Sequence, residues 1–111
     1  MKQININYIR REMETVVQLH SGNQVQNSTG TGHDHPNHSS SWKHHWERKT
    51  GERWPICSQK RCNKQATDGS HVRLIQTRYP YENYIIPLCH SCNIEVDRPF
   101  EVKTVKAVRA Y

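Results

Sequence analysis

Long hydrophobic runs are missing from this 111-residue chain, and so is much of the usual material of a core. Hydrophobic residues make up 33% of it, there is a single phenylalanine, and mean hydropathy is −0.98. No stretch approaches the roughly 20 apolar residues of a membrane helix. No apolar leader of the signal-peptide kind opens the chain, so neither a membrane span nor export is expected. No internal repeat is visible. Long runs of one charge are also missing: sixteen Lys and Arg against ten Asp and Glu give a net charge of +6, but they are spread out. Such a basic balance suits contact with nucleic acid and equally suits a plain solvated surface. A chain of this length is expected to form one domain and to bury only about two thirds of its unfolded surface. A cross-link is therefore expected to supplement the core.

Cysteine is scarce as well, and its placement is informative. The four cysteines form two close pairs, Cys57-x4-Cys62 and Cys89-x2-Cys92. Two such pairs suit one tetrahedral zinc ion. Two disulfides are the alternative, but the spacing and the lack of a leader favour metal and a reducing, cytoplasmic compartment. A structural zinc contributes on the order of 10 kcal/mol of folding free energy. A zinc tetrathiolate carries two negative charges, leaving the chain at about +4.

Along the chain, residues 1–26 read as an N-terminal strand and hairpin segment. Ile4, Ile6 and Tyr8 alternate with polar residues, and Val17 and Leu19 can pair with Val25 across Ser21-Gly22-Asn23. A helix over Tyr8–Leu19 competes with that reading. Residues 27–41 form a polar loop holding His33, His35 and His38, with His44 and His45 soon after. These could bind a second metal, but Asp34 is the only carboxylate there, so a solvated loop is the preferred reading. Residues 42–111 hold the zinc-stabilised part. Ser41 can cap a helix over Trp42–Thr50, and Gly51 can end it. Trp42 and Trp46 share one helical face, which suits core packing better than base stacking. His71–Ile75 and Tyr84–Ile86 read as strands of a hairpin. A short helix is expected from Cys92 or Asn93 to before Pro99. Phe100 to Tyr111 reads as a strand, in one piece or two.

Knuckle, hairpin, then a helix start bearing the second cysteine pair is the order of a treble clef. The expected fold is a small α+β zinc-binding domain with an additional N-terminal hairpin and C-terminal strand. A helix start also favours the net negative charge of four thiolates.

Gly69-Ser70-His71-Val72 followed by Ile86-Pro87-Leu88-Cys89-His90-Ser91-Cys92-Asn93 resembles the His-Asn-His (HNH) endonuclease motif in its form supported by a four-cysteine zinc site. It also resembles small bacterial and phage-type proteins with a Gly-Ala/Ser-His-Val segment before Pro-Leu-Cys-x-x-Cys-Asn. The resemblance spans residues 54–98. It implies His71 as general base, Asn83 as its orienting partner, and a second divalent cation beside His71. Two positions depart from the motif. Ser70 stands where Asp or His usually ligates that cation, and Asn93 stands where His usually does. Both are neutral and weaker ligands for a hard cation than a carboxylate.

Three functions follow as expectations. The first is a nucleic-acid-binding module without efficient catalysis, meeting DNA or RNA through Lys60, Arg61, Lys64, Arg73, Arg78, Tyr79 and Tyr81. The second is a metal-dependent nuclease using His71. The third is a protein-interaction scaffold.

Overall fold

A computed structural model describes residues 15–29, 36, 39, 41–75, 83–95 and 97–111. The strand expected over Ile4–Tyr8, the loop histidines His33, His35 and His38, and the contact candidates Arg78, Tyr79 and Tyr81 lie outside the described residues.

The described chain runs β1 (Val16–Leu19), β2 (Gln24–Asn27), α1 (Trp42–Thr50), β3 (Asp68–Leu74), β4 (Tyr84–Leu88), α2 (His90–Asn93), β5 (Phe100–Glu101) and β6 (Val105–Arg109). The strands make one antiparallel sheet in the order β1-β6-β4-β3-β2-β5.

The N-terminal hairpin expectation fails here. β1 and β2 follow one another across residues 20–23, yet they are not neighbours in the sheet. Both pair instead with the C-terminal segment, β1 with β6 and β2 with β5. Val102 bridges the two ladders, accepting from Gly22 N–H and donating to the Asn23 carbonyl, both at 2.9 Å. The register slips by one residue between Leu19↔Val105 and Gln24↔Glu101, and Gly22 takes a positive φ of 95° at that slip. A bulge in one long bent ribbon therefore occupies the place of a hairpin turn. The sheet must also curl. In a flat sheet β1 and β2 would stand four strand spacings, about 19 Å, apart. Five residue steps at full stretch reach only about 17 Å.

Strand alternation divides the core. Ser70, Val72 and Leu74 share one face with their cross-strand partners Ile86, Tyr84 and Val25, all buried. Gly69, His71 and Ile85 lie on the other face, which α1 covers. Helix α1 forms where its caps direct it. Ser41 Oγ accepts from His44 N–H at 3.0 Å, and Gly51, at φ 72°, donates its N–H to the Glu47 carbonyl. Its apolar face buries Trp46, whose Nε1–H donates to the Lys106 carbonyl at 2.8 Å. Trp42 rides directly over Gly69. A Cβ on that glycine would lie 2.6 Å from the Trp42 Cβ, so only glycine fits the approach.

The boundaries of the β3–β4 hairpin and of the second helix differ from expectation. β3 starts at Asp68 because β4 continues through Pro87 and Leu88 and offers Gly69 and Asp68 partners. Pro87 is tolerated because β6 pairs only as far as Ile85, so no ladder bond needs its missing N–H. The second helix is a single turn that starts at His90, before the expected Cys92 or Asn93. The buried Asn27 side chain donates from Nδ2 to the Cys92 carbonyl at 2.8 Å and to the Glu95 carbonyl at 2.5 Å, which closes the turn.

Candidate metal centre

The knuckle that carries the first cysteine pair is shaped by its own backbone. Cys57 N–H donates to the Lys64 carbonyl at 2.8 Å, Cys62 N–H to the Gln59 carbonyl at 3.0 Å, and Arg61 N–H to Gln59 Oε1 at 2.6 Å. Trp54 fixes the approach by stacking edge-on against Trp46 at 5.6 Å and donating from Nε1 to the Ala66 carbonyl at 2.9 Å. The knuckle docks between the end of β4 and the β5–β6 corner: Ser58 N–H donates to the Pro87 carbonyl, and Lys103 N–H to the Ser58 carbonyl. The second pair comes from the end of β4 and from α2, where Cys89 takes the N-cap position and accepts from Asn93 N–H.

These elements bring the four thiols together. All their sulfurs lie within 4.8 Å of one another, and Cys62 Sγ and Cys89 Sγ are 3.8 Å apart. Four sulfurs around one ion with arms of about 2.3 Å would sit about 3.8 Å apart. None of the four is in a disulfide. The donor set thus fits one metal ion. Cys57 and Cys89 are buried, and Cys62 and Cys92 are partly exposed.

Burial and the neighbouring groups set the protonation of the cluster. Burial pushes the Cys89 thiol up, but bonds from Ser91 Oγ, from Cys92 N–H and from the neighbouring thiols outweigh it and bring the group to about 6. Cys92 moves upward, through burial first and then through Cys89 and Cys57. Cys57 also moves upward, mainly through burial. One thiolate forms readily, and further negative charge needs a positive ion among them.

Two side chains outside the cysteine pattern complete the corner. Lys103 Nζ donates to three knuckle carbonyls, those of Cys57 and Gln59 at 2.7 Å and that of Cys62. It is an ammonium set into the carbonyl side of the knuckle. Asn27 holds the carbonyls at the end of α2. Neither carries a local sequence signal; a buried polar residue in a strand is recognisable only once its distant partners are known.

Of the residues implied by the HNH resemblance, His71 lies on β3, Asn83 just before β4 and Asn93 in the α2 turn. His71 is 5% exposed and packs edge-on against Trp42 at 4.7 Å, with Tyr111 at 6.3 Å. Asn83 accepts from Ser28 Oγ at 2.6 Å. Asn93 Nδ2 donates to Asp68 Oδ2 at 2.8 Å, and His90 Nδ1 meets the same oxygen at 3.0 Å. Those bonds, with one from Thr67, outweigh the upward pull of burial and hold the Asp68 carboxyl below its ordinary value. Asp68 and His71 are three residues apart on β3, about 10 Å along the strand, and emerge on opposite faces. Ser70 is buried on the face away from His71, and its Oγ has no hydrogen-bond partner among the described residues.

Of the basic candidates, Lys60 pairs with Glu101 at 3.3 Å beside the knuckle. Arg61 and Lys64 are exposed around the same turn, and Arg73 is exposed on β3. No helix among the described residues is long and apolar enough to cross a membrane. Comparison of the chain with protein-family models, with curated proteins and with solved structures gives no match.

Proposed function

We propose that this chain is a small zinc-stabilised nucleic-acid-binding module of treble-clef, HNH-like shape, without efficient catalysis. Four soft thiolate donors suit zinc better than a hard cation, and four protein ligands leave no open position, so the zinc is structural. Knuckle, hairpin and helical turn in sequence support the treble-clef reading.

The observation that carries the non-catalytic part is the setting of His71. A general base must reach a water beside a phosphodiester. His71 instead lies beneath Trp42, with the carboxylate nearest in sequence on the opposite face of its strand. The nucleic-acid part rests on net charge and on exposed cations: Arg61, Lys64 and Arg73 have no carboxylate partner among the described residues.

Metal analysis of the purified chain should return one zinc. Oligonucleotide binding followed by anisotropy should occur at micromolar protein and weaken steeply between 50 and 200 mM salt, as phosphate contacts require. Salt-independent binding, or none, would sink the nucleic-acid reading, and a nuclease-resistant protein partner in a pull-down would replace it with a scaffold role. Plasmid nicking with magnesium, manganese or nickel that disappears in a folded His71→Ala variant would make the protein a nuclease.

A further inference from the structure

Most cations placed along the sheet and its edges already have anionic or carbonyl company. Lys60 meets Glu101, Lys106 meets Glu52 at 2.7 Å, and Lys103 is enclosed by carbonyls. Arg73 differs. It lies on the same face of β3 as His71 but two residues further from the cysteines, where it is exposed rather than covered. Its guanidinium makes no ion pair or hydrogen bond among the described residues.

The register assembles polar groups around it. Gln26 on β2 stands directly opposite Arg73, and Asn83 comes one step beyond the Val72↔Tyr84 pair, on the Arg73 side. With Asn27, Ser28 and Thr29 they line a cavity of about 400 Å³. No carboxylate is among these residues. Ser28 Oγ donates to Asn83 Oδ1 at 2.6 Å, which fixes the amide with its Nδ2 turned away from that hydroxyl. Ser28 N–H is spent on the His71 carbonyl, which ties the wall to β3. The described lining therefore presents a planar guanidinium fork, a held amide donor and a hydroxyl, with Arg73 the charged side chain among these residues.

That set matches a phosphate: guanidinium recognises phosphate oxygens in a bidentate way, and neutral donors take the remaining oxygens. The volume falls in the range of small-molecule sites and exceeds what a bare phosphate fills, leaving room for an attached sugar. We propose that the cleft between β2, β3 and the start of β4 is a phosphate-binding subsite, with Arg73 as anchor and Asn83 as second donor, that takes the phosphate of a nucleic-acid strand or of a free nucleotide. The first of these sources rests on the nucleic-acid reading above; the second does not.

The test uses the zinc-loaded full chain and amide and guanidinium NMR signals. Inorganic phosphate, a nucleoside monophosphate and a short single-stranded oligonucleotide are titrated in turn into wild type, Arg73→Gln and, as a control on the knuckle, Arg61→Gln. Arg73 is exposed, so its variant is expected to keep the wild-type spectrum elsewhere. All three ligands should move the Arg73 Nε–H, Asn83 side-chain and Thr29 signals in wild type and in Arg61→Gln, while the Asn83 and Thr29 signals should stay still in Arg73→Gln. Oligonucleotide affinity should fall about tenfold in Arg73→Gln, with a log–log salt slope smaller by about one. If phosphate and nucleotide move these signals but the oligonucleotide does not bind, the subsite stands and the nucleic-acid reading falls. If the oligonucleotide binds wild type and Arg73→Gln equally and the cleft signals stay still, the subsite is overturned and the reading survives. If no ligand moves them and none binds, both are overturned.

Discussion

The cysteine corner and the His71 site sit on the same hairpin, yet they are built in opposite ways. At the corner, donors from the knuckle, the end of β4 and the α2 turn point inward to one centre, with sulfurs at the spacing an ion would set. At His71, the ring is packed among other rings, and the side chain that covers it allows no Cβ on the neighbouring strand residue. One region converges donor atoms on a single centre; the other packs a histidine ring among aromatic rings. The difference teaches that a motif-like histidine and a ligand-like cysteine need separate structural support, even a few residues apart.

Removing the metal proposed for the cysteine corner should have the largest effect. Chelation, or Cys89→Ser, should unfold the chain, since a structural zinc supplies on the order of 10 kcal/mol, comparable to the whole stability of a small domain. Circular dichroism and amide spectra should both collapse. His71→Ala, by contrast, should cost only about 1–3 kcal/mol, as an ordinary core truncation. A Cys89→Ser protein with native spectra and no metal would reverse the ranking of the two regions.

Next in size is Lys103→Met, which keeps the aliphatic stem and removes the ammonium. Three knuckle carbonyls lose their donor, and each hydrogen bond to a charged group is worth about 1.5–3 kcal/mol when fully desolvated. Because the group is only partly buried, a net loss of about 2–3 kcal/mol is expected, together with weaker zinc retention in a chelator competition. Unchanged zinc retention would mean that the knuckle is held by its own turn and not by Lys103.

Gly69→Ala probes the other side. Its Cβ would meet Trp42 well inside contact distance, so α1 or β3 must shift, at a cost of about 1–3 kcal/mol. The thermal midpoint should drop with one zinc still bound. An unchanged midpoint would show that α1 stands further from the sheet than the packing of Trp42 over Gly69 requires.

What the sequence discloses depends on how far apart the partners lie. The cysteine pairs are readable because each is closed by a local turn. The caps of α1 are readable because Ser41 and Gly51 act within four residues. The pairing of β1 and β2 is not readable, because both halves find their partner in residues 100–109, and Ser21-Gly22-Asn23 looks the same as a bulge or as a turn. Lys103 and Asn27 are invisible for the same reason: their carbonyl partners are 41 to 68 residues away and leave no pattern in the sequence. The α2 turn is shorter than its composition suggests, because Asn27 reaches in from another strand to finish it. Catalytic resemblance around His71 was legible as letters, but the cover of Trp42 over Gly69 was not, since nothing in either residue type names the other.

The smallest expected effect tests whether the aromatic side is indeed closed around neutral rings. His45 sits on α1 next to Trp42, edge-on at 5.3 Å, and donates from Nε2 to the Arg109 carbonyl at 2.9 Å. Its Nδ1 is buried without a hydrogen-bond partner among the described residues. Burial lowers the pKa from its ordinary 6.5; the Arg109 carbonyl pulls it back in part, and Lys49 and Arg48 lower it further. Above pH 6.5 the ring is neutral in both folded and unfolded chains, and this site costs nothing. As pH falls below that value the unfolded chain takes the proton first, so stability is lost until the folded pKa is reached. The slope cannot exceed about 1.4 kcal/mol per pH unit for one proton. His45→Gln keeps a donor for the Arg109 carbonyl and cannot titrate. Denaturant midpoints of the two zinc-loaded proteins should therefore converge or cross as pH falls from 7 to 5.5, by about 1 kcal/mol or less. Proton competition for the cysteines acts on both proteins alike and cancels in the difference. Curves that stay parallel across that range would mean that the ring is reached by solvent when folded, and that the cover over this face is looser than the cysteine corner by more than its lack of a metal.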